Sequence, residues 1–197
     1  MDSVSINPRP LKGKHWTAGF CLDLHTTSSE FLGYNAYGHP EFHTVYSPIG
    51  KCLYKLKYRG DRSAMDPIVD ALEGFLNQWK PKADILVPIP HSTAGRTLVP
   101  DMARALGKRV GIPVCEGCIE KMKSSKQLKD VYDYDERLQL LEGAFSVKRS
   151  RIEGKRVLLF DDLYRSGATT GAIARALRDA GANEVFLLTV TRTRSNR

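Results

Sequence analysis

Long hydrophobic runs are missing from this chain. No apolar stretch approaches the roughly 18 residues that cross a bilayer, so no membrane-spanning helix is expected. Residues Met1 to Lys14 hold no apolar signal core, and the expected location is cytoplasmic. Cysteine is scarce as well. Cys21, Cys52, Cys115 and Cys118 are too few for a disulfide framework in 197 residues. Cys115-Glu116-Gly117-Cys118 is a lone C-x-x-C, and zinc would need two further ligands. His39 and His43 have helical spacing, but Pro40 stands between them and opposes a helix. Cys52 falls among Ile49, Leu53 and Leu56 at helical spacing and reads as core. Acids are outnumbered, 22 against 30 Lys and Arg, and the net charge of +8 fits nucleic acid or a small phosphate-bearing ligand equally well. Internal repeats and low-complexity segments are absent, and the length fits one domain with an appended segment.

What is present concentrates in one run, Val157-Leu158-Leu159-Phe160-Asp161-Asp162-Leu163-Tyr164-Arg165-Ser166-Gly167-Ala168-Thr169-Thr170. The four apolar residues read as a strand buried on both faces, as in a parallel sheet covered by helices. From Thr169 on, Ile173, Ala176, Leu177 and Ala180 recur at helical spacing, with Gly181 as the C-terminal stop. The loop Arg165 to Thr169 therefore joins a strand's carboxyl end to a helix's amino end. Free N–H groups and the helix dipole make such a place a phosphate site. Gly167 and Ala168 let the backbone approach an anion, and Ser166 and Thr169 add hydroxyls. Asp161 and Asp162 suit ribose hydroxyls or a hydrated Mg²⁺ beside the phosphate. A phosphoacceptor or Mg²⁺ site of some other α/β protein is the competing reading of the acid pair.

Elsewhere, alternation over Trp16 to Leu24 predicts a half-buried strand. Thr26 to Ser29 and the stretch from Gly33 to Pro40 read as turn-rich, and Phe42 to Tyr46 as a second strand. Ser47-Pro48 opens a helix to about Tyr58, and a second starts near Asp66-Pro67 with Ile68, Leu72, Phe75, Leu76 and Trp79 on one face. Asp84 to Pro88 is a buried strand running into the polar loop His91-Ser92-Thr93-Ala94-Gly95-Arg96. Val99 to Val110 is helical, and Ile112 to Ile119 is expected to be extended, which would point Cys115 and Cys118 to opposite faces. Lys121 to Lys129 is basic without a period, either a solvated loop or a flap closing over polyphosphate. Asp135 to Leu141 reads as a short helix, Glu184 to Val190 as a last buried strand, and Thr191 to Arg197 as a solvated basic tail. Alternating strands and helices give an α/β class: a Rossmann-like, mostly parallel sheet with helices on both faces. The expected division is an N-terminal β extension or hood, residues 1–44, and one domain, residues 45–197.

The run from Val157 to Thr170 resembles the 5-phosphoribosyl-1-pyrophosphate (PRPP) motif of type I phosphoribosyltransferases: hydrophobic strand, two acids, then a hydroxyl-Gly-x-Thr loop. The resemblance implies that Asp161 and Asp162 are the catalytic acids, holding the ribose hydroxyls and, through them or water, a Mg²⁺ ion. It implies that Arg165, Ser166, Gly167, Ala168 and Thr169 hold the 5′-phosphate, that His91, Ser92, Thr93 and Arg96 hold pyrophosphate, and that Lys123, Lys126 and Lys129 belong to a flap. Leu56-Lys57-Tyr58-Arg59-Gly60-Asp61, Val87-Pro88-Ile89-Pro90, Lys126-Gln127-Leu128, Arg137 and Gly143-Ala144-Phe145 narrow it to ComF-like proteins over about residues 45 to 192. Three departures stand out. A strand pair replaces the cysteine-rich zinc module, Thr97-Leu98-Val99-Pro100-Asp101 replaces Arg-Gly-Phe-Asn-Gln, and Arg165-Ser166-Gly167 replaces Thr-Thr-Gly. The expected function is Mg²⁺-dependent transfer of 5-phosphoribosyl to a nucleobase or amine that the sequence does not identify, as a pentosyltransferase. The alternative is a silent PRPP- or nucleotide-binding regulator tied to DNA uptake or metabolism, with nucleic acid as partner. A homodimer is left open, and no membrane association is expected.

Overall fold

The computed structural model describes residues 4–90, 97–122, 141 and 143–194. A five-stranded sheet organises it, in the order β1 (Arg9–Pro10), β2 (Ala18–Leu24), β9 (Glu184–Arg192), β8 (Arg156–Tyr164), β5 (Ile85–Pro88). Only β1 is antiparallel; β2, β9, β8 and β5 run parallel. A single parallel bridge from Leu86 to Val114 continues the edge beyond β5. No described helix is long and apolar enough to cross a membrane.

Burial on both faces explains why the apolar runs are continuous. Leu158 and Phe160 point into a core under α1 (Pro48–Tyr58), α2 (Met65–Trp79) and α3 (Leu98–Val110), while Val157 and Leu159 point into a second core. That second core is closed by Ile173, Ala174 and Leu177 of α5 (Ala168–Asp179). Each such side chain contributes on the order of 2 kcal/mol by leaving water. The strand expected to be half-buried is instead covered on both sides. Phe20 of β2 packs edge-on against Phe75 and Trp79 at 5.4 and 5.0 Å, and Cys21 faces the second core. The alternating polar positions of β2 are small or buried residues, not solvent-facing ones.

Helix boundaries follow the expected chemistry. Ser47 caps α1 by accepting from Gly50 N–H at 3.0 Å, and Pro48 occupies its first turn. α5 stops at Gly181 (φ +90°), with Gly181 N–H donating to Arg178 and Ala182 N–H to Leu177.

Three expectations are corrected. Thr26 to Ser29 is not a turn: it begins β3 (Thr26–Tyr34), paired antiparallel with β4 (Pro40–Tyr46) in a separate two-stranded sheet. Its residues are mostly exposed, so no alternation betrays the strand. The true turn follows, where Asn35 Oδ1 accepts from Tyr37 and His39 N–H, each at 3.0 Å. Residues 112–119 are not extended throughout. After Val114 the chain turns, and Cys115 and Cys118 are bonded to each other with Cα atoms 5.8 Å apart, before β6 (Ile119–Lys121) pairs with β7 (Phe145–Val147). Finally, Thr191 and Arg192 are not tail but the end of β9; Thr191 is fully buried and Arg192 lies opposite Tyr164 and Leu24. The helix expected over 135–141 falls, but for Leu141, outside the described residues. α4 (Arg149–Ile152) is a single turn leading into β8.

At the edge of the sheet away from the acid pair, Asp84 ties β5 to β8. Its carboxylate accepts from the Arg156 guanidinium at 2.7 and 3.1 Å and from Arg156 N–H at 2.7 Å. The guanidinium first, then the backbone bond, holds this carboxyl down at about 2. The folded value lies below the unfolded one of about 3.9, so the stabilisation is complete above about pH 4 and fades as pH falls toward 2. Asp84→Asn is expected to lower the melting temperature at pH 7, with the gap to wild type narrowing progressively below pH 4. Melts across that range check it; a gap independent of pH would refute the linkage.

Candidate functional site

β8 continues past its apolar run, so its two acids leave the core at the carboxyl edge of the sheet. Strand alternation sends Asp162 to the same face as Leu158 and Phe160, toward α1. There the Lys57 ammonium meets Asp162 Oδ2 at 2.6 Å, with side-chain exposures of only 17% and 6%. Lys57 arrives from the last turn of α1, whose rotation is set by burial of Ile49, Leu53 and Leu56. Asp161 lies on the opposite face, and its Oδ1 accepts from Asp162 N–H at 2.8 Å. Burial first, and the Asp162 carboxylate second, raise Asp161 well above the usual carboxylate range; its backbone bond and Lys57 oppose that rise.

The next residues form the other half of the site. Gly167 sits at φ +80°, ψ −2° as the residue capping α5, and its carbonyl accepts from Gly171 N–H at 2.7 Å. A side chain at this position would run into the ring of Tyr164. No acidic side chain occupies the first turn of α5, and its capping residue, Gly167, has no side chain to bond there. Arg165, Ser166, Gly167 and Thr169 line a cleft of about 590 Å³ shared with Asp161 and Asp162. Ala168 does not line it. Its methyl is buried against Leu141 and Ala144, leaving only backbone to offer, while Ser166 Oγ accepts from Ala168 N–H at 3.4 Å.

The opposite wall comes from the end of β5. Ile89 N–H donates to Phe160 carbonyl at 2.9 Å, and Ile89, Pro90 and Thr97 line the cleft. His91, Ser92, Thr93 and Arg96 lie outside the described residues, as do Lys123, Lys126 and Lys129. Lys121, at the end of β6, lines the cleft.

Two residues escaped the sequence reading. Lys57 stands in the sequence only as one residue of the Leu56-Lys57-Tyr58 run; a charge at the margin of an apolar helix face does not announce its partner. His25, just after β2, contacts Thr191 Oγ1 at 3.3 Å, and that hydroxyl lies 3.4 Å from the Asp162 carbonyl it donates to. The His25 ring stands edge-on to Tyr46 at 5.4 Å. Burial first, then the charge of Lys57, lowers its basicity, with Asp162 acting against them.

No family model matches the chain. Among curated relatives, an amidophosphoribosyltransferase of Methanothermobacter thermautotrophicus is 31% identical over 115 residues, 58% of this chain and 23% of the relative. Competence protein ComFC of Bacillus subtilis is 30% identical over 145 residues, 71% of this chain and 57% of the relative. Transcriptional regulator GfcR of Methanococcoides burtonii is 29% identical over 146 residues, 74% of this chain and 61% of the relative. The chain spans less than two thirds of each of these relatives.

Proposed function

Since the chain is type I phosphoribosyltransferase-like, and its relatives are consistent with a ComF-like branch, we propose that the cleft binds PRPP and transfers its phosphoribosyl group to a nitrogen acceptor. One observation carries the reading: two carboxylates at the end of β8 share a cleft with a glycine-capped helix amino end that no acid occupies. The first-turn N–H groups of α5, with Ser166, Thr169 and Arg165, suit a phosphate dianion. Asp161 and Asp162 accept from ribose hydroxyls. In the transfer, the bond from ribose C1 to a pyrophosphate oxygen breaks and a bond from the acceptor nitrogen to C1 forms. Pyrophosphate leaves with the electron pair, and the nitrogen loses a proton. The side chains position and stabilise charge, and none forms a covalent bond. His91, Ser92, Thr93 and Arg96, with the flap lysines Lys123, Lys126 and Lys129, are proposed for the pyrophosphate.

Magnesium fits this donor set as an ion shared with the ligand. Among the described residues no cluster of three His, Cys, Asp or Glu is placed to hold a metal. Asp161 and Asp162 offer hard oxygen donors and would hold Mg²⁺ through ribose hydroxyls or water. When bound, the ion supplies charge neutralisation for the leaving pyrophosphate.

Calorimetric titration of PRPP with and without Mg²⁺ tests the proposal. Saturable, Mg²⁺-dependent binding is expected, followed by pyrophosphate release with one member of a panel of nucleobases and amines. A folded protein without PRPP affinity would refute it. A second reading, a regulator that binds the same ligand without transfer, is favoured by the similarity to a transcriptional regulator and by the charge of +8. It expects PRPP binding, no pyrophosphate release, and DNA affinity that falls steeply with salt. A truncation testing the basic end has to spare Arg192, which is a sheet residue.

A further inference from the structure

Asp162 is already engaged by a cation of the protein's own. Lys57 and Asp162 come from separate elements, meet at 2.6 Å and are both nearly excluded from solvent. A lysine ammonium is a compact, strongly hydrated charge, and bringing it this far out of water is costly unless a carboxylate answers it. The pair sits inside the functional cleft, since Lys57, Asp161 and Asp162 all line it. A stabilising pair has no need of that location. Among the described lining residues Asp161 and Asp162 are the only acids, and Lys57 is paired with one of them. We propose that Lys57 is a built-in counter-cation. It occupies the carboxylate a divalent ion would use, so that a metal ion enters this site only together with a phosphoribosyl ligand that brings further oxygen donors.

The metal-exclusion half stands independently of the transfer chemistry; the ligand-coupled half rests on the function proposed above. The consequence is an order of events. An acid pair left uncompensated would attract Mg²⁺ by itself, whereas the ammonium sets a threshold that only a metal with its ligand exceeds.

The test is Mn²⁺ binding to the whole chain without PRPP, followed by electron paramagnetic resonance. Wild type is expected to show no saturable site below about millimolar Mn²⁺, in the range of weak sites. Lys57→Met is expected to gain one bound at least roughly tenfold more tightly, the effect of about 1.4 kcal/mol. Adding Asp162→Asn to Lys57→Met should abolish it, and Lys57→Arg should behave as wild type. Should Lys57→Met fail to fold, Lys57→Gln removes the charge while keeping a polar head and replaces it in the same titration. Equal Mn²⁺ affinity in wild type and the neutral variants overturns the inference, as does a tight wild-type site lost in Asp162→Asn. A gained site without PRPP affinity in wild type would uphold metal exclusion and sink the transferase reading instead. No gain alongside intact Mg²⁺-dependent PRPP binding would do the reverse.

Discussion

Gly167→Ala is expected to lower PRPP affinity by roughly a hundredfold while costing only a few degrees of melting temperature. The backbone at Gly167 has φ +80°, and an added Cβ meets the Tyr164 ring. Left-handed backbone costs an alanine about 1–2 kcal/mol, or some 2–8 °C in a domain of this size. The affinity loss is larger because the same peptide lies within the loop proposed to hold the phosphate and leads directly into α5. Escape from strain must swing the loop or the Tyr164 ring, and both disturb the first-turn N–H groups of α5. Gly181→Ala is the control. It carries the same kind of strain, φ +90°, at the other end of the same helix, with an added Cβ 3.2 Å from Glu153 Cγ. It should lower the melting temperature comparably and leave affinity within about twofold. Calorimetry and melts on both variants decide; equal affinity losses would mean that helix stability, not loop shape, governs binding.

Which parts of this arrangement the sequence disclosed follows from how local their causes are. The β8 strand, the acids, the loop and α5 are contiguous, and each step has its own chemistry: unbroken apolar residues, then carboxylates, then glycine, then helical spacing. Ser47-Pro48 and Gly181 were equally readable, because caps act within one turn. Non-local features stayed hidden. Nothing near Lys57 indicates that α1 will pack where its ammonium reaches Asp162, and nothing near His25 points to Thr191. β3 was missed because hydroxyl-rich, exposed residues can form a strand without a buried face to impose period two. The turn at Cys115 to Cys118 was missed because a parallel bridge ends after one residue pair, a length no periodicity reveals.

Asp162→Asn is expected to reduce PRPP affinity by roughly a hundredfold and also to destabilise the fold, and the two effects should separate. Losing charge-assisted bonds from the ribose hydroxyls is worth about 3 kcal/mol if two such bonds weaken. The stability loss has another origin. The Lys57 ammonium stays in place with its partner neutralised, at 17% exposure. Breaking a buried pair costs about 3–5 kcal/mol, and the residual access to water reduces that to about 1–3 kcal/mol. Lys57→Met in the same chain removes the stranded charge. The double variant should therefore recover much of the lost melting temperature, because an apolar side chain suits the contact with the α1 core. It should not recover the affinity, because a methionine and an amide restore no carboxylate at position 162 for the sugar. Melts and calorimetry on the two single variants and the double complete the cycle. Affinity returning with stability would show that Asp162 serves the cleft only by holding α1, and full affinity in Asp162→Asn alone would remove it from the ribose site.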